Sequence, residues 1–226
     1  MDSYKFLQIF FEELNINKTK YAVLRNYNDL PRKWGNDIDI IIENEKKAIL
    51  TVFKLLKKYN YQNEIIYRKH FSLISIILYF KDRELRLDFY NSISFAWIQY
   101  VKNEVIFQYV KKSHKNFYYL DKDISNILIL VKEYFAYREI RKKYANLYFE
   151  DKSITFRYID YIFGNSFTKS TKKKIWKLCY DKNYKFFLSF YFLKYFNLKK
   201  FIFWLFYRIG KYQKLDLNSL RKKYDG

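Results

Sequence analysis

Residues 35–42 read Gly-Asn-Asp-Ile-Asp-Ile-Ile-Ile and decide the fold of the first half of the chain. Polar and apolar side chains alternate from Asp37 to Ile40, and two further isoleucines continue the segment to residue 42. This alternation predicts a β-strand, because successive side chains of a strand point to opposite faces. Asp37 and Asp39 therefore share one face at the start of the strand, and three isoleucines share the other.

Two carboxylates this close have two interpretations. They either lie in water at an exposed strand end or share a cation, since a buried pair of like charges is costly. Hard divalent ions such as Mg²⁺ prefer oxygen ligands. Asp88, in a second alternating segment over residues 84–90, offers a third carboxylate. With the two strands side by side, Asp37, Asp39 and Asp88 could hold two metal ions around a phosphate, and Asp88 could accept a proton.

Helices and strands are predicted on both sides of this segment. An N-terminal helix with Ser3 as its cap is predicted, since its apolar residues recur at helical spacing. The same spacing predicts a second helix, which is capped by Asn44 and runs to about residue 59. The polar Lys-Asp-Arg at residues 81–83 separates two apolar segments, which predicts a β-hairpin. The predicted strands cover residues 21–24, 37–42, 71–80, 84–90, 105–110 and 117–120.

The pattern becomes helical after residue 120. Asp123 is predicted to cap a helix, and helical stretches continue to about residue 210 with a break near Gly164-Asn165. The fold class is therefore α+β, with a mixed sheet and flanking helices in residues 1–120 and an all-α domain in residues 121–226.

Composition limits the functions that the chain can have. Half of its 226 residues are apolar, which is enough for a hydrophobic core. The single cysteine excludes a disulfide scaffold, and two histidines with that cysteine cannot form a His/Cys zinc site. The N-terminus lacks the pattern of a signal peptide, so a cytoplasmic location is expected.

The formal net charge of +21 is uneven, with +7 in residues 1–120 and +14 in residues 121–226. The excess reflects either the codon bias of an AT-rich genome or an anionic partner. Lysines interrupt the apolar segment 186–208, so it is not predicted to span a membrane. Its run 201–206 is interpreted first as a core helix. The alternatives are peripheral contact with an anionic membrane at its inner face and, less favoured, stacking on single-stranded nucleic acid.

The strand at 21–24, the Asp-x-Asp pair and the third aspartate resemble the nucleotidyltransferase superfamily, which has the fold of DNA polymerase β and the aminoglycoside nucleotidyltransferases. Residues 21–31 are similar to uncharacterised bacterial nucleotidyltransferase-like proteins of surface-polysaccharide gene clusters. The resemblance covers roughly residues 5–145. It implies Mg²⁺ on Asp37, Asp39 and Asp88, with Asp88 as base. It also implies transfer of a nucleoside monophosphate from a nucleoside triphosphate to a sugar or polyol hydroxyl.

One departure from the family pattern concerns the phosphate-binding turn. Arg25-Asn26 stands where the family has Gly-Ser. Arg25 could hold the phosphates of the nucleotide through its forked guanidinium or pair with Asp29, and Asn26 could orient a phosphate or cap a turn. Arg86 could bridge a phosphate or form an ion pair with Asp88. The departure leaves open the alternative of a catalytically degenerate binding protein. The basic second half of the chain favours a further alternative, an antitoxin-type nucleotidyltransferase acting on protein or RNA.

Overall fold

The structure is a computed structural model that describes residues 1–70, 73–95, 98–101, 103–137, 139–186, 213–217 and 219. The described helices are α1 (Ser3–Ile16), α2 (Glu45–Lys58), α3 (Asn103–Phe107), α4 (Lys122–Tyr137), α5 (Lys152–Phe163) and α6 (Lys169–Tyr180). The described strands are β1 (Tyr21–Val23), β2 (Ile38–Ile42), β3 (Ile65–His70), β4 (Leu73–Tyr79), β5 (Glu84–Tyr90), β6 (Ile93–Phe95), β7 (Ile98–Val101), β8 (Val110–Lys112), β9 (Tyr118–Leu120) and β10 (Gln213–Leu215). The predicted α+β class is confirmed.

The chain forms two compact units. The first contains Met1–Ser92, Val110–Leu120 and β10, and the second contains Ile93–Tyr109 and residues 121–186. The predicted boundary near residue 120 is therefore one of several points where the chain passes from one unit to the other. The apolar run 201–206, on which the membrane and nucleic-acid interpretations rest, lies outside the described residues.

One mixed sheet organises the first unit. Its eight described strands lie in the order β10-β3-β4-β5-β2-β1-β9-β8. β2 pairs in parallel with β5 and β1 in parallel with β9, while the other neighbours are antiparallel. The predicted hairpin of the 71–80 and 84–90 segments is present as β4 and β5, with Ile76 opposite Leu87.

Helices α1 and α2 share a hydrophobic core with one face of this sheet. Ile38, Ile40 and Ile42 of β2 belong to that core together with residues of both helices. The ring of Phe10 in α1 lies 5.9 Å from that of Phe89 in β5. Asp39, which alternates with these isoleucines, is therefore directed to the opposite face of the sheet.

The caps of two helices differ from the prediction. Asp2 caps α1, because its side chain accepts the backbone N–H of Lys5 at 2.7 Å. Ser3 is instead buried in the first turn, and its hydroxyl donates to Asp82. Likewise Asp121 accepts the backbone N–H of Asp123 at 2.9 Å, so Asp121 rather than Asp123 caps α4. Asn44 caps α2 as predicted.

The prediction of a strand over residues 105–110 is wrong. Residues 103–107 form the short helix α3, and the strand β8 begins only at Val110. Val105 and Phe107 are only partly buried, whereas Ile106 is fully buried. A six-residue segment with five apolar residues does not distinguish one helical turn from a strand, and here the single buried position fits the turn.

In the second unit, α4, α5 and α6 follow the predicted helical pattern, and β6 and β7, which were not predicted, pair antiparallel. The prediction that residues 121–226 are all-α is wrong at β10, which pairs with β3 in the sheet of the first unit. Glu133 of α4 is buried and receives two hydrogen bonds from Arg141, at 2.5 and 2.7 Å. α5 ends at Phe163, and Gly164, which caps its C-terminus, has a φ of 42°. This positive φ explains the predicted break, because glycine adopts it at little cost. None of the described helices is long and apolar enough to cross a membrane.

Candidate active site

The parallel pairing of β2 with β5 places two aspartates side by side. Asp39 and Asp88 are direct partners in this register, so their side chains leave the same face of the sheet. Only 3% of the surface of Asp39 and 2% of that of Asp88 is exposed. Two buried carboxylates at neighbouring strand positions repel one another and therefore need positive charge nearby.

Asp37 completes a cluster of three carboxylates. It precedes β2 by one residue and lies two residues from Asp39, so it points to the same side. One carboxylate oxygen from each of Asp37, Asp39 and Asp88 lies within 4.8 Å of the other two. The three aspartates predicted to meet thus converge, and the donor set of hard oxygens is one that suits Mg²⁺.

Arg25 lies against two of these carboxylates. Its Nε donates to Oδ2 of Asp39, and its Nη2 lies 4.0 Å from Oδ1 of Asp37. The arginine follows β1, whose neighbour in the sheet is β2, and this pairing brings it to the start of β2. Arg25 was predicted either to hold phosphate or to pair with Asp29, and in the structure it forms ion pairs with Asp37 and Asp39.

Arg86 donates hydrogen bonds to the carboxylate of Asp88, and Tyr90 donates one to the second oxygen of Asp39. Arg86 Nε and Nη2 donate to the two oxygens of Asp88 at 3.0 and 3.1 Å, which is a bidentate pair. The hydroxyl of Tyr90 donates to Oδ1 of Asp39 at 2.9 Å. Both Asp39 oxygens therefore accept hydrogen bonds, from Tyr90 on one side and Arg25 on the other.

Burial and crowding of charge shift the acidity of this cluster. Burial, and then the neighbouring Asp39 carboxylate, raise the pKa of Asp37 above its ordinary value, although Arg25 partly offsets this. Burial together with Asp39 and Asp88 raises the pKa of Tyr90 well above its ordinary value, so Tyr90 is a neutral donor. Three carboxylates against two guanidinium groups leave one formal negative charge, which favours binding of a further cation.

Polar residues continue across the sheet beyond the aspartates. Ser75 of β4 is the cross-strand partner of Asp88, and Arg68 of β3 is the partner of Ser75. Both are buried, at 1% and 7% exposure. Asp39, Asp88, Ser75 and Arg68 thus form one buried polar row over four adjacent strands, on the face opposite the hydrophobic core.

Sequence reasoning identified most, but not all, of the site. Four of the predicted residues come together, namely Asp37, Asp39, Asp88 and Arg25. Asn26 is instead exposed, and its φ of 56° is a left-handed conformation that asparagine tolerates. A nucleotide-binding role for Asn26 stays a prediction. Tyr90 was missed, although its position two residues after Asp88 on an alternating strand placed it on the same face.

Comparison of the chain with protein-family models, with curated proteins and with solved structures found no match. The geometry of the site and the resemblance of its motif therefore carry the functional argument.

Proposed function

We propose that this chain is a Mg²⁺-dependent nucleotidyltransferase of the polymerase β-like fold. It would move a nucleoside monophosphate from a nucleoside triphosphate to a hydroxyl of a sugar or polyol used in surface-polysaccharide assembly. The observation that carries the proposal is the convergence of Asp37, Asp39 and Asp88, with one oxygen of each within 4.8 Å of the others. The acceptor class rests on the resemblance of residues 21–31 alone.

The residues present fit a divalent cation. All three are carboxylates, two of them are buried, and the cluster keeps a net negative charge beside Arg25 and Arg86. Asp37, Asp39 and Asp88 would hold up to two Mg²⁺ ions. When bound, Mg²⁺ supplies a Lewis acid that stabilises the charge developing on the phosphate oxygens.

The side chains of the chain itself have separate roles in the proposed reaction. Asp88 accepts the proton of the acceptor hydroxyl, whose oxygen forms a bond to the α-phosphorus while the bond from that phosphorus to the β-phosphate bridging oxygen breaks. Pyrophosphate leaves with the electron pair. Arg86 holds the Asp88 carboxylate in a fixed orientation through two hydrogen bonds, and Arg25 contributes a forked cation for phosphate.

A specific observation also favours the second candidate, a catalytically degenerate binding protein. In the structure Arg25 and Arg86 already neutralise much of the charge on Asp39 and Asp88. An acidic cluster that is neutralised by its own arginines can persist as a structural element without a metal. Nucleotide binding that depends on Mg²⁺ separates the two candidates, because a scaffold need show none.

The test measures binding and turnover of the four ribonucleoside triphosphates, each with and without Mg²⁺, by calorimetry and by pyrophosphate release. Asp37→Asn and Asp39→Asn should each weaken Mg²⁺-dependent binding by at least about tenfold, since metal sites lose that much even when only a supporting group is removed. Glu43→Gln is the matched control, because Glu43 follows β2 directly but is exposed and pairs only with Lys20 among the described contacts. Wild-type binding and turnover in both aspartate variants would show that the metal site is wrongly assigned.

A further inference from the structure

Arg25 lies where a shared cation would have to lie. Its guanidinium contacts Asp39 through Nε and approaches Asp37 to 4.0 Å through Nη2, so it spans both carboxylates of the Asp-x-Asp pair. A divalent ion held by the same two carboxylates would lie beside this guanidinium. Arg25 and the ion would therefore compete for the negative charge of Asp37 and Asp39.

The two arginines of the site differ in where they lie relative to the paired strands. Arg86 is anchored on the same strand as Asp88, and its two hydrogen bonds to that carboxylate are matched, at 3.0 and 3.1 Å. Arg25 instead lies beyond the end of β1, outside the paired residues of β2 and β5. A movement of the Arg25 side chain away from the carboxylates therefore leaves the β2–β5 pairing in place.

Charge determines where Arg25 goes when a metal enters. A guanidinium left between Asp37 and Asp39 would lie beside the incoming dication, and like charges in a buried site repel strongly. A polyphosphate chain that arrives with the metal supplies oxygens of the geometry that a guanidinium binds bidentately. Transfer of Arg25 from carboxylate to phosphate removes the repulsion and keeps the guanidinium paired.

We propose that Arg25 is an exchangeable cation that couples metal binding to polyphosphate binding. In the free protein it occupies the Asp37–Asp39 pair and weakens binding of a divalent ion alone. With a polyphosphate present it moves to the phosphate oxygens, and the two carboxylates become available to the metal. This inference rests on the proposed function. It adds how metal binding at that site is regulated, and it names the phosphate chain of the nucleotide, rather than its base, as the group whose binding promotes metal binding.

The experiment measures bound Mn²⁺ by electron paramagnetic resonance, first with Mn²⁺ alone and then with added inorganic tripolyphosphate, which has no base. Arg25→Met should bind Mn²⁺ alone about tenfold more tightly than wild type or more, because removing a like charge shifts such sites by one or more decades. Arg32→Met, which removes an exposed arginine from the loop of the same unit, should change Mn²⁺ binding little. Because tripolyphosphate itself binds Mn²⁺, the quantity compared after its addition is the Mn²⁺ that stays with the protein on gel filtration. Tripolyphosphate should raise this amount for wild type and not for Arg25→Met.

The outcomes distinguish this inference from the proposed function. The exchange is overturned if Arg25→Met binds Mn²⁺ no more tightly than wild type while Asp39→Asn still abolishes binding. The assignment of the metal site then still stands. Absence of Mn²⁺ binding in wild type, Arg25→Met and Arg25→Lys alike, all with unchanged circular dichroism, overturns both. Arg25→Lys keeps the charge without the fork, so tighter binding in Arg25→Met alone supports the competition directly.

Discussion

Removing Arg86 should destabilise the sheet of the first unit, because Asp88 would lose its bidentate partner. Asp88 has a side chain that is 3% exposed, and it receives two hydrogen bonds from Arg86, whose side chain is 28% exposed. Breaking a buried ion pair costs about 3–5 kcal/mol, and the partial exposure of Arg86 lowers this to about 2–4 kcal/mol for Arg86→Met. In a chain of this size the loss corresponds to a fall in Tm of roughly 4–16 °C.

The assay is a double-mutant cycle. Wild type, Arg86→Met, Asp88→Asn and the double variant are unfolded in urea without divalent ions, and hydrogen exchange of peptides from residues 84–90 reports the local stability of β5. The double variant should recover most of the loss, since it has no buried unpaired charge. Lys20→Met is the control, because the Lys20–Glu43 pair is 65% and 52% exposed and such surface pairs contribute about 0–1 kcal/mol. A loss in Arg86→Met no greater than in Lys20→Met would refute the reasoning.

Two further predictions concern the second unit. Gly164→Ala should lower the free energy of unfolding by about 1–3 kcal/mol, because the backbone of Gly164, with φ 42° and ψ −123°, is one that other residues rarely adopt. Gly35→Ala should be nearly neutral, since no atom lies within 4 Å of the added Cβ and its φ is ordinary; equal losses in urea unfolding would contradict this. Burial raises the pKa of the Cys179 thiol to about 12, so iodoacetamide at pH 8 should label it only after unfolding. Fast labelling of the native protein would count against that burial.

The central strand of the site could be predicted because its signal is local. The alternation over residues 37–42 is a property of six adjacent residues, and it correctly placed three isoleucines in the core and two aspartates on the other face. The cap at Asn44 and the hairpin of β4 and β5 were predictable for the same reason. Each depends on interactions between residues that are close in sequence.

The features that the sequence did not predict are of two kinds. Some depend on a choice between local conformations of similar free energy, and others depend on contacts between residues that are far apart in sequence. Asp121 and Asp123 are both good N-caps two residues apart, so only the structure shows which one accepts the N–H groups. The contact of Tyr90 with Asp39 requires the parallel pairing of two strands that are far apart in sequence. β3 was overlooked because its end, Arg68-Lys69-His70, is polar, and Arg68 is buried only through its place in the sheet.

The position of β10 in the sheet has a consequence for biosynthesis. β10 pairs with β3, with Gln213 opposite Tyr67, so the partner of this edge is translated more than 140 residues later. At about 5–20 residues per second this interval lasts roughly 7–30 s. During that time β3 presents an unpaired edge, which is a template for pairing with another chain. The nascent chain therefore passes through a stage in which this edge of its sheet is open to pairing with another chain.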